Sequence, residues 1–476
     1  MTASSNVRPL MHTAIQPRPW RVQRPAASAK PQPRTPSLSM SDYWFMSGLV
    51  LALFYVTDPF GWRLDRIAIT KHLPLMFCLC GVVLANVGYW VFPPKPGTEF
   101  VYLRNKKHWQ VLKAALPLVI LSIWIIVGSF YTRRSYGMNN TFITVGIYML
   151  FTALTARLVM LSPARATIIK VYFRFAAFCA AFMAIFMLIN YDGRSSAYHE
   201  MEAFVIPIGV YFALRPMRSH FWRIVLTLFF LAAGLSFMKN TGFLVLTFTL
   251  IYIWIVEWRF RFRESISFKF WTALWLMIVL VAGISAWGYV AYQRGELMPT
   301  GNPQYRLKTY DAAWNLYLDS PLWGTGFTGA ASEKFKGFKI EAARGVLATH
   351  SDVLDLAAQG GTLALLLWIW GYLRAGRVAI KNALGGRPYD DMRAGCHALA
   401  CMSLASILVY AFNPILLQPA KALLLWGQSG MLLGVALYLA SLPKPVTATE
   451  TPAGKNNVTH IKGQPLKHPA YKKIGR

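Results

Sequence analysis

The chain has 476 residues, of which 55% are hydrophobic and only 14% are charged. In soluble domains about a quarter of all residues are charged. This composition therefore excludes an ordinary soluble multidomain protein and indicates a membrane protein. The formal net charge of +30 does not indicate nucleic-acid binding, because the basic residues cluster beside apolar segments, where they report membrane topology.

Apolar segments follow one another along most of the chain. Residues 1–40 contain no acidic residue and are rich in Pro, Arg, Ser and Ala, so we expect a disordered basic tail. About twelve apolar segments then follow, and each is predicted to span the membrane as a helix. They are residues 43–56, 73–92, 111–131, 142–161, 171–189, 203–214, 224–237, 243–256, 270–292, 353–373, 394–412 and 422–442. We therefore predict one transmembrane domain, 41–442, followed by a second disordered basic tail, 443–476.

The distribution of basic residues predicts the orientation of this domain. Twelve spans place both tails on one side, and because both are basic, the positive-inside rule assigns them to the cytoplasm. The long polar stretch at 293–350 then lies on the opposite face. Loops of this length are uncommon unless they are functional or disordered, and its aromatic residues and helical spacing favour function.

This loop contains a predicted amphipathic helix. Between positions 303 and 318, apolar residues recur at helical spacing; they are Leu307, Tyr310, Trp314 and Leu318. Arg306 lies in the first turn, and Pro321 with the segment Gly324-Thr325-Gly326 is expected to end the helix in a tight turn. Arg306 either binds an anion or snorkels at the membrane interface.

His350 is the second candidate of the loop. Thr349 with Asp352 three residues later resembles a capping box just before a long apolar segment, which predicts that His350 lies in the first helical turn. The helix dipole there disfavours a positive charge and so favours the neutral imidazole that a general base needs. The alternative is an interfacial histidine that hydrogen-bonds to solvent.

Two further polar segments are predicted on the same face as the loop. Lys239 lies in a tight connection between two apolar segments, where it either serves function or marks the membrane edge. The segment 192–202 contains Arg194, which could bind an anion, and His199 and Glu200, which could contact sugar hydroxyls; the alternative is a solvated loop. Cations suit a diphosphate, and a neutral histidine suits deprotonation of an alcohol. Together they predict group transfer from a lipid diphosphate to a hydroxyl.

The order of these features resembles the O-antigen ligase and Wzy-type O-antigen polymerase superfamily. The resemblance covers about residues 192–373 and rests on an Arg helix with Trp, a Pro-x-x-Gly-x-Gly turn, and a His before a helix that carries Gly-Gly. It implies an all-α, GT-C-like inverting glycosyltransferase of the bacterial inner membrane, without metal or cofactor, whose active site faces the periplasm. The implied partners are a glycan on undecaprenyl diphosphate, an acceptor glycan or lipid A core, and membrane lipids.

The resemblance also implies roles for single residues. The loop arginine of the family falls on Arg306 and its histidine on His350. A second arginine of the family falls on Lys239, which keeps the charge but loses the bidentate guanidinium. We further assign Asp311 and Asp352 as candidate sugar contacts.

Two questions stay open at this level. Polymerase and ligase differ in the acceptor. Lys239 stands where the family has an arginine, and this difference slightly favours polymerisation. Twelve spans with both termini inside is also the outline of a secondary transporter or a polysaccharide flippase, although we find no internal repeat.

Overall fold

The computed structural model describes residues 38–58, 73–91, 99–131, 140–189, 201–217, 219–235, 240–262, 294, 302–327, 351–383, 391–412 and 419–441. Within these ranges all regular secondary structure is helical, which confirms the predicted all-α class. The helices in chain order are α1 Met40–Thr57, α2 Leu73–Val91, α3 Glu99–Tyr131, α4 Asn140–Leu161, α5 Arg165–Ile189, α6 Glu202–Val205, α7 Ile208–Leu214, α8 His220–Leu235, α9 Asn240–Phe262, α10 Asn302–Asp319, α11 Asp352–Ala383, α12 Asp391–Phe412 and α13 Pro419–Leu439.

The predicted apolar segments coincide with these helices. Every predicted span overlaps a helix except 270–292, which lies outside the described residues, as do most of both predicted tails. Among the described residues, five stretches are long and apolar enough to cross a membrane: Gln110–Phe130, Arg165–Phe186, Asp352–Ala379, Asp391–Phe412 and Lys421–Leu439. The chain is thus a polytopic helical membrane protein in outline, while the total of twelve spans stays a prediction.

The segment that forms α6 and α7 is shorter than a membrane span. It runs over Glu202–Leu214, which is about 20 Å at 1.5 Å per residue, against a hydrocarbon core of about 30 Å. It is interrupted at Pro207, whose nitrogen has no hydrogen to donate to the helical ladder. Every residue from 201 to 212 is nonetheless buried, so this segment lies inside the bundle.

Small residues allow the central helices to approach closely. Gly430 and Gly434 of α13 face α4, where a Cβ on Gly430 would meet the Thr152 carbonyl at 2.7 Å and one on Gly434 the Ala156 carbonyl at 2.5 Å. Two glycines four residues apart are a common device for packing membrane helices. The Thr152 hydroxyl also donates to the carbonyl of Trp426, at 3.2 Å, which ties the two helices together.

Polar contacts distinguish the two ends of the bundle. At one end the guanidinium of Arg215, just after α7, donates to Asp391 at the start of α12, at 2.7 Å. At the other end the Thr241 hydroxyl of α9 donates to Glu202 of α6. The predicted topology requires each of these pairs to share one face of the membrane, and the two contacts satisfy that requirement.

Candidate active site

The predicted amphipathic helix is confirmed as α10, and one of its faces packs on α11. The buried side chains Thr309, Ala313 and Leu316 lie at the i, i+4, i+7 spacing of a helical stripe. Ala313 and Leu316 form a small apolar cluster with Leu354 and Ala358 of α11. The helix ends at Asp319 and is followed by a turn over Ser320–Phe327, as the proline and glycines predict.

This turn is held by a break in the middle of α11. Gly361 has φ 68° and ψ −170°, so the helical ladder is interrupted there. The backbone N–H groups of Thr325 and Gly326 donate to the carbonyls of Ala358 and Gln359, each at 3.0 Å. In return, the N–H of Thr362 donates to the Pro321 carbonyl at 2.8 Å. The backbone groups that the break frees are satisfied by the turn, which is what a break at membrane depth requires.

The break also bends α11 sharply. Asp352 lies within electrostatic reach of Tyr372, yet a straight helix would separate these residues by about 30 Å at 1.5 Å per residue. The nine residues before Gly361 therefore turn back toward the rest of the helix. The longer part of α11, after Gly361, is one uninterrupted helical segment of about 33 Å. The 28-residue stretch Asp352–Ala379 is therefore not one straight span.

The start of α11 differs from the predicted capping box. The helix begins at Asp352, and the Ser351 hydroxyl accepts a hydrogen bond from the N–H of Leu354, at 3.3 Å. Ser351 is thus the N-cap residue, and Thr349 is not. His350 accordingly precedes the cap in sequence instead of lying in the first turn. Thr349 and His350 themselves lie outside the described residues.

Arg306 is anchored at the end of another helix. Its Nη1 donates to the backbone carbonyl of Phe412, the last residue of α12, at 3.1 Å. A cation at a helix C-terminus is favoured by the helix dipole. The guanidinium also lies close to the hydroxyl of Tyr310, one turn further along α10. Burial raises the pKa of Tyr310 above its ordinary value, and the Arg306 charge opposes that rise.

The register between α10 and α11 brings Arg306 toward the start of α11. Tyr310 is within electrostatic reach of Asp355, and Ala313 clusters with Ala358. One turn further, the hydroxyl of Tyr317 forms a 2.7 Å hydrogen bond with that of Thr362. These contacts run in the same direction along both helices, so the first half of α10, which carries Arg306, lies toward the start of α11.

Two buried carboxylates lie at the same place. Asp352 and Asp355 occupy the first turn of α11 and are 2% and 7% exposed. Acidic residues are stabilised at a helix N-terminus, where the dipole is positive. Asp352 was predicted as a sugar contact, whereas Asp355 and Tyr310 were not. The signal for Asp355 was available, because a carboxylate inside an apolar segment is costly and often functional.

Asp311 lies on another flank of α10. About 140° around the helix separates it from Arg306, at 100° per residue, so the two side chains do not converge. Its side chain is half-buried, and this burial raises the pKa of the carboxyl above its ordinary value. Asp311 therefore lies beside the candidate site, away from Arg306.

The remaining predicted site residues lie outside the described residues: Lys239, Arg194, His199, Glu200 and His350. Lys239 directly precedes α9, whose second residue Thr241 contacts Glu202. Within the described ranges, His, Cys, Asp and Glu side chains form no group of three or more that could bind a metal ion.

The fold and this site define a class: a polytopic helical membrane protein in which a loop helix and its turn dock on a broken helix. The loop helix carries an arginine, and the broken helix begins with two buried carboxylates. The comparison with protein families identifies the class further. Residues 224–369 match the family model described as O-antigen ligase, which confirms the superfamily that the sequence resembles. The match covers α8 to the middle of α11, less than a third of the chain. No curated protein matches the chain.

Proposed function

We propose that this protein is an inverting glycosyltransferase that moves a glycan from undecaprenyl diphosphate to a sugar hydroxyl at the periplasmic face of the bacterial inner membrane. The observation that carries the proposal is Arg306, held by the end of α12 next to the start of α11 inside the segment that matches the O-antigen ligase family. The reaction needs a fixed cation where the leaving diphosphate gains charge.

Arg306 is the residue we assign to the leaving group. Its contacts with the Phe412 carbonyl and the Tyr310 hydroxyl hold the guanidinium in place. A guanidinium grips phosphate oxygens with paired hydrogen bonds. Lys239 and Arg194 complete the diphosphate site in this proposal. The bond from the anomeric carbon to the diphosphate oxygen breaks, and the diphosphate departs with the electron pair.

His350 is the base in the same proposal. It accepts the proton from the acceptor hydroxyl as that oxygen attacks the anomeric carbon from the opposite side, so the configuration inverts without a covalent enzyme intermediate. Its place in the chain supports this role, because it precedes the N-cap Ser351, and the half of α10 that carries Arg306 lies toward the start of α11. The positive end of the α11 dipole favours the neutral imidazole.

The carboxylates are assigned to the sugars. Asp352 lies buried close to the position we give the base, where a carboxylate can accept hydrogen bonds from sugar hydroxyls. Asp311, His199 and Glu200 are assigned to the outer part of the glycan. We favour a second lipid-linked repeat unit as acceptor, hence polymerisation, over lipid A core, because Lys239 replaces the arginine of the family.

The test is turnover of an undecaprenyl-diphosphate oligosaccharide by purified protein, with and without lipid A core. Longer glycans without core identify a polymerase, and product only with core identifies a ligase. We expect His350→Ala and Arg306→Ala each to lower the rate at least about 100-fold, in the range of lost acid–base or electrostatic catalysis.

Arg377→Ala is the matched control. Arg377 is an exposed arginine near the other end of α11, so its replacement removes the same charge away from the loop and should leave the rate unchanged. A folded His350→Ala protein with full activity would reject the base assignment. No glycosidic product from folded wild-type protein, given a matching donor, would favour the transporter alternative.

A further inference from the structure

One ridge of α10 combines a cation with exposed apolar side chains. Arg306, Tyr310, Trp314 and Leu318 follow at intervals of four residues, the spacing that aligns side chains in one row along a helix. Leu322, another exposed apolar residue, lies in the turn three residues after the helix end. Trp314, Leu318 and Leu322 are 48%, 56% and 56% exposed. We call the row from Tyr310 to Leu322 the apolar ridge.

The neighbouring flank of the helix is polar. Asn315 and Asp319 are exposed, and with Asp311 they form a second row that lies about 100° around the helix from the ridge at each turn. The face opposite them packs on α11. The exposed part of α10 therefore has an apolar row, in which Arg306 is the first residue, and a polar row beside it.

The turn that follows the apolar ridge contacts an exposed apolar face of α3. Next to Leu322, Trp323 stacks on Trp124 of α3 with ring centroids 5.2 Å apart and planes 1° apart. The side chains that flank Trp124 on α3 are exposed and aliphatic; they are Ile120, Ile123 and Val127. Because α3 contains one of the five candidate membrane spans, an apolar path runs from the bilayer face of α3 over the stacked indoles onto α10.

We propose that this path holds the isoprenoid chain of the lipid-linked donor, with the diphosphate at Arg306. The inference rests on the proposed function and adds the binding site of the lipid part. Ordinary phospholipid chains need only the α3 surface for their contacts. The path extends beyond that surface, for about 18 Å along α10, and ends at a guanidinium. An apolar row that ends in a cation matches a long isoprenoid that ends in a diphosphate.

Photo-crosslinking tests this assignment. The wild-type protein in nanodiscs is labelled with an isoprenyl diphosphate that carries a benzophenone in its chain, and the labelled positions are mapped by mass spectrometry. We expect labels on α10 and on α3 near Trp124, removed by excess undecaprenyl diphosphate and not by phosphatidylglycerol. Label at these positions that undecaprenyl diphosphate does not remove would mean that the ridge only rests in the bilayer, which overturns the proposal.

A pair of double variants adds a matched control. Trp314→Ala with Leu318→Ala removes two exposed side chains of the ridge and should weaken binding of the probe at least about tenfold, because the chain loses that apolar contact. Leu250→Ala with Trp254→Ala removes the same two residue types, four positions apart and 48% and 62% exposed on α9. This control should bind the probe as wild type does. Equal binding by both double variants overturns the proposal.

The outcomes separate this inference from the proposed function. Competed label on the ridge without any glycosyl transfer would reject the transferase and keep the isoprenoid site. The opposite result is glycosyl transfer with no label on the ridge and with an unchanged KM for the long-chain donor in the Trp314→Ala, Leu318→Ala protein. It would reject the isoprenoid site and keep the transferase.

Discussion

Single residues at the start of α11 hold the end of the helix that directly follows His350 in the chain. Ser351 caps the helix through its hydroxyl, and its carbonyl accepts the first helical hydrogen bond, from the N–H of Asp355 at 3.0 Å. Both Ser351 and Asp352 are 2% exposed. A buried cap has no water to replace a lost hydrogen bond, so the side chain at position 351 matters more than at an exposed helix end.

Replacement of Ser351 by alanine should therefore destabilise the protein by about 1 kcal/mol, the usual cost of a lost N-cap. Asparagine, an equally good cap, should recover most of that free energy if the side chain is accommodated. The measurement is the free energy of unfolding in detergent. Equal stability of the wild-type and alanine proteins would contradict the capping role.

At the scale of elements, the break in α11 is the feature that builds the site. The positive φ at Gly361 interrupts the helical hydrogen bonds of α11. The turn after α10 forms four backbone hydrogen bonds with the groups around this break. A Cβ at Gly361 would lie 2.4 Å from the carbonyl oxygen of Leu322, and one at Gly324 would lie 2.3 Å from the backbone of Gln359. The two backbones touch, and only glycine permits that approach.

Gly361→Ala should cost at least about 2 kcal/mol, because it combines a strained φ with a backbone clash. Glycosyl transfer should fall with it, since the turn and α10 lose their support. Gly376→Ala in the same helix is the control. No atom lies within 4 Å of a Cβ there, so alanine should be neutral or stabilise by up to about 1 kcal/mol. Equal unfolding free energies for the two variants would refute the docking role of Gly361.

On the scale of the whole molecule, contacts between distant helices define two ends. Asp391 is near both Arg215 and Lys170, with the Lys170 ammonium at 4.0 Å. At the same end the guanidinium of Arg165 lies 3.3 Å from the ring centre of Tyr438. Arg306 and the end of α12 lie at the other end. The basic end is the one that the positive-inside rule assigns to the cytoplasm.

Cysteine labelling checks this orientation. The native Cys80 is exposed and the other four thiols are buried, so the Cys80→Ser protein has no exposed native thiol that would react with the reagent. In it, Asn315→Cys on exposed α10 should react with an impermeant maleimide in intact spheroplasts. Arg377→Cys, also exposed, should react only after lysis, because we place it in the cytoplasm. The opposite pattern would invert the topology and exclude a periplasmic active site.

The sequence by itself determined the class, the positions of the described apolar helices, the loop helix with its end and the resemblance to the O-antigen ligase superfamily. These follow from composition and from spacings within a few residues, which are local properties. Only the tertiary structure decided the partner of Arg306, a carbonyl 106 residues away, because any residue can supply a carbonyl. The N-cap was also decided by the tertiary structure. Thr349 and Ser351 are both residue types that cap helices well, and in the packed protein the cap is Ser351. The docking of the turn on Gly361 also depends on backbone groups alone, and backbone contacts between distant segments leave no pattern in the residue types.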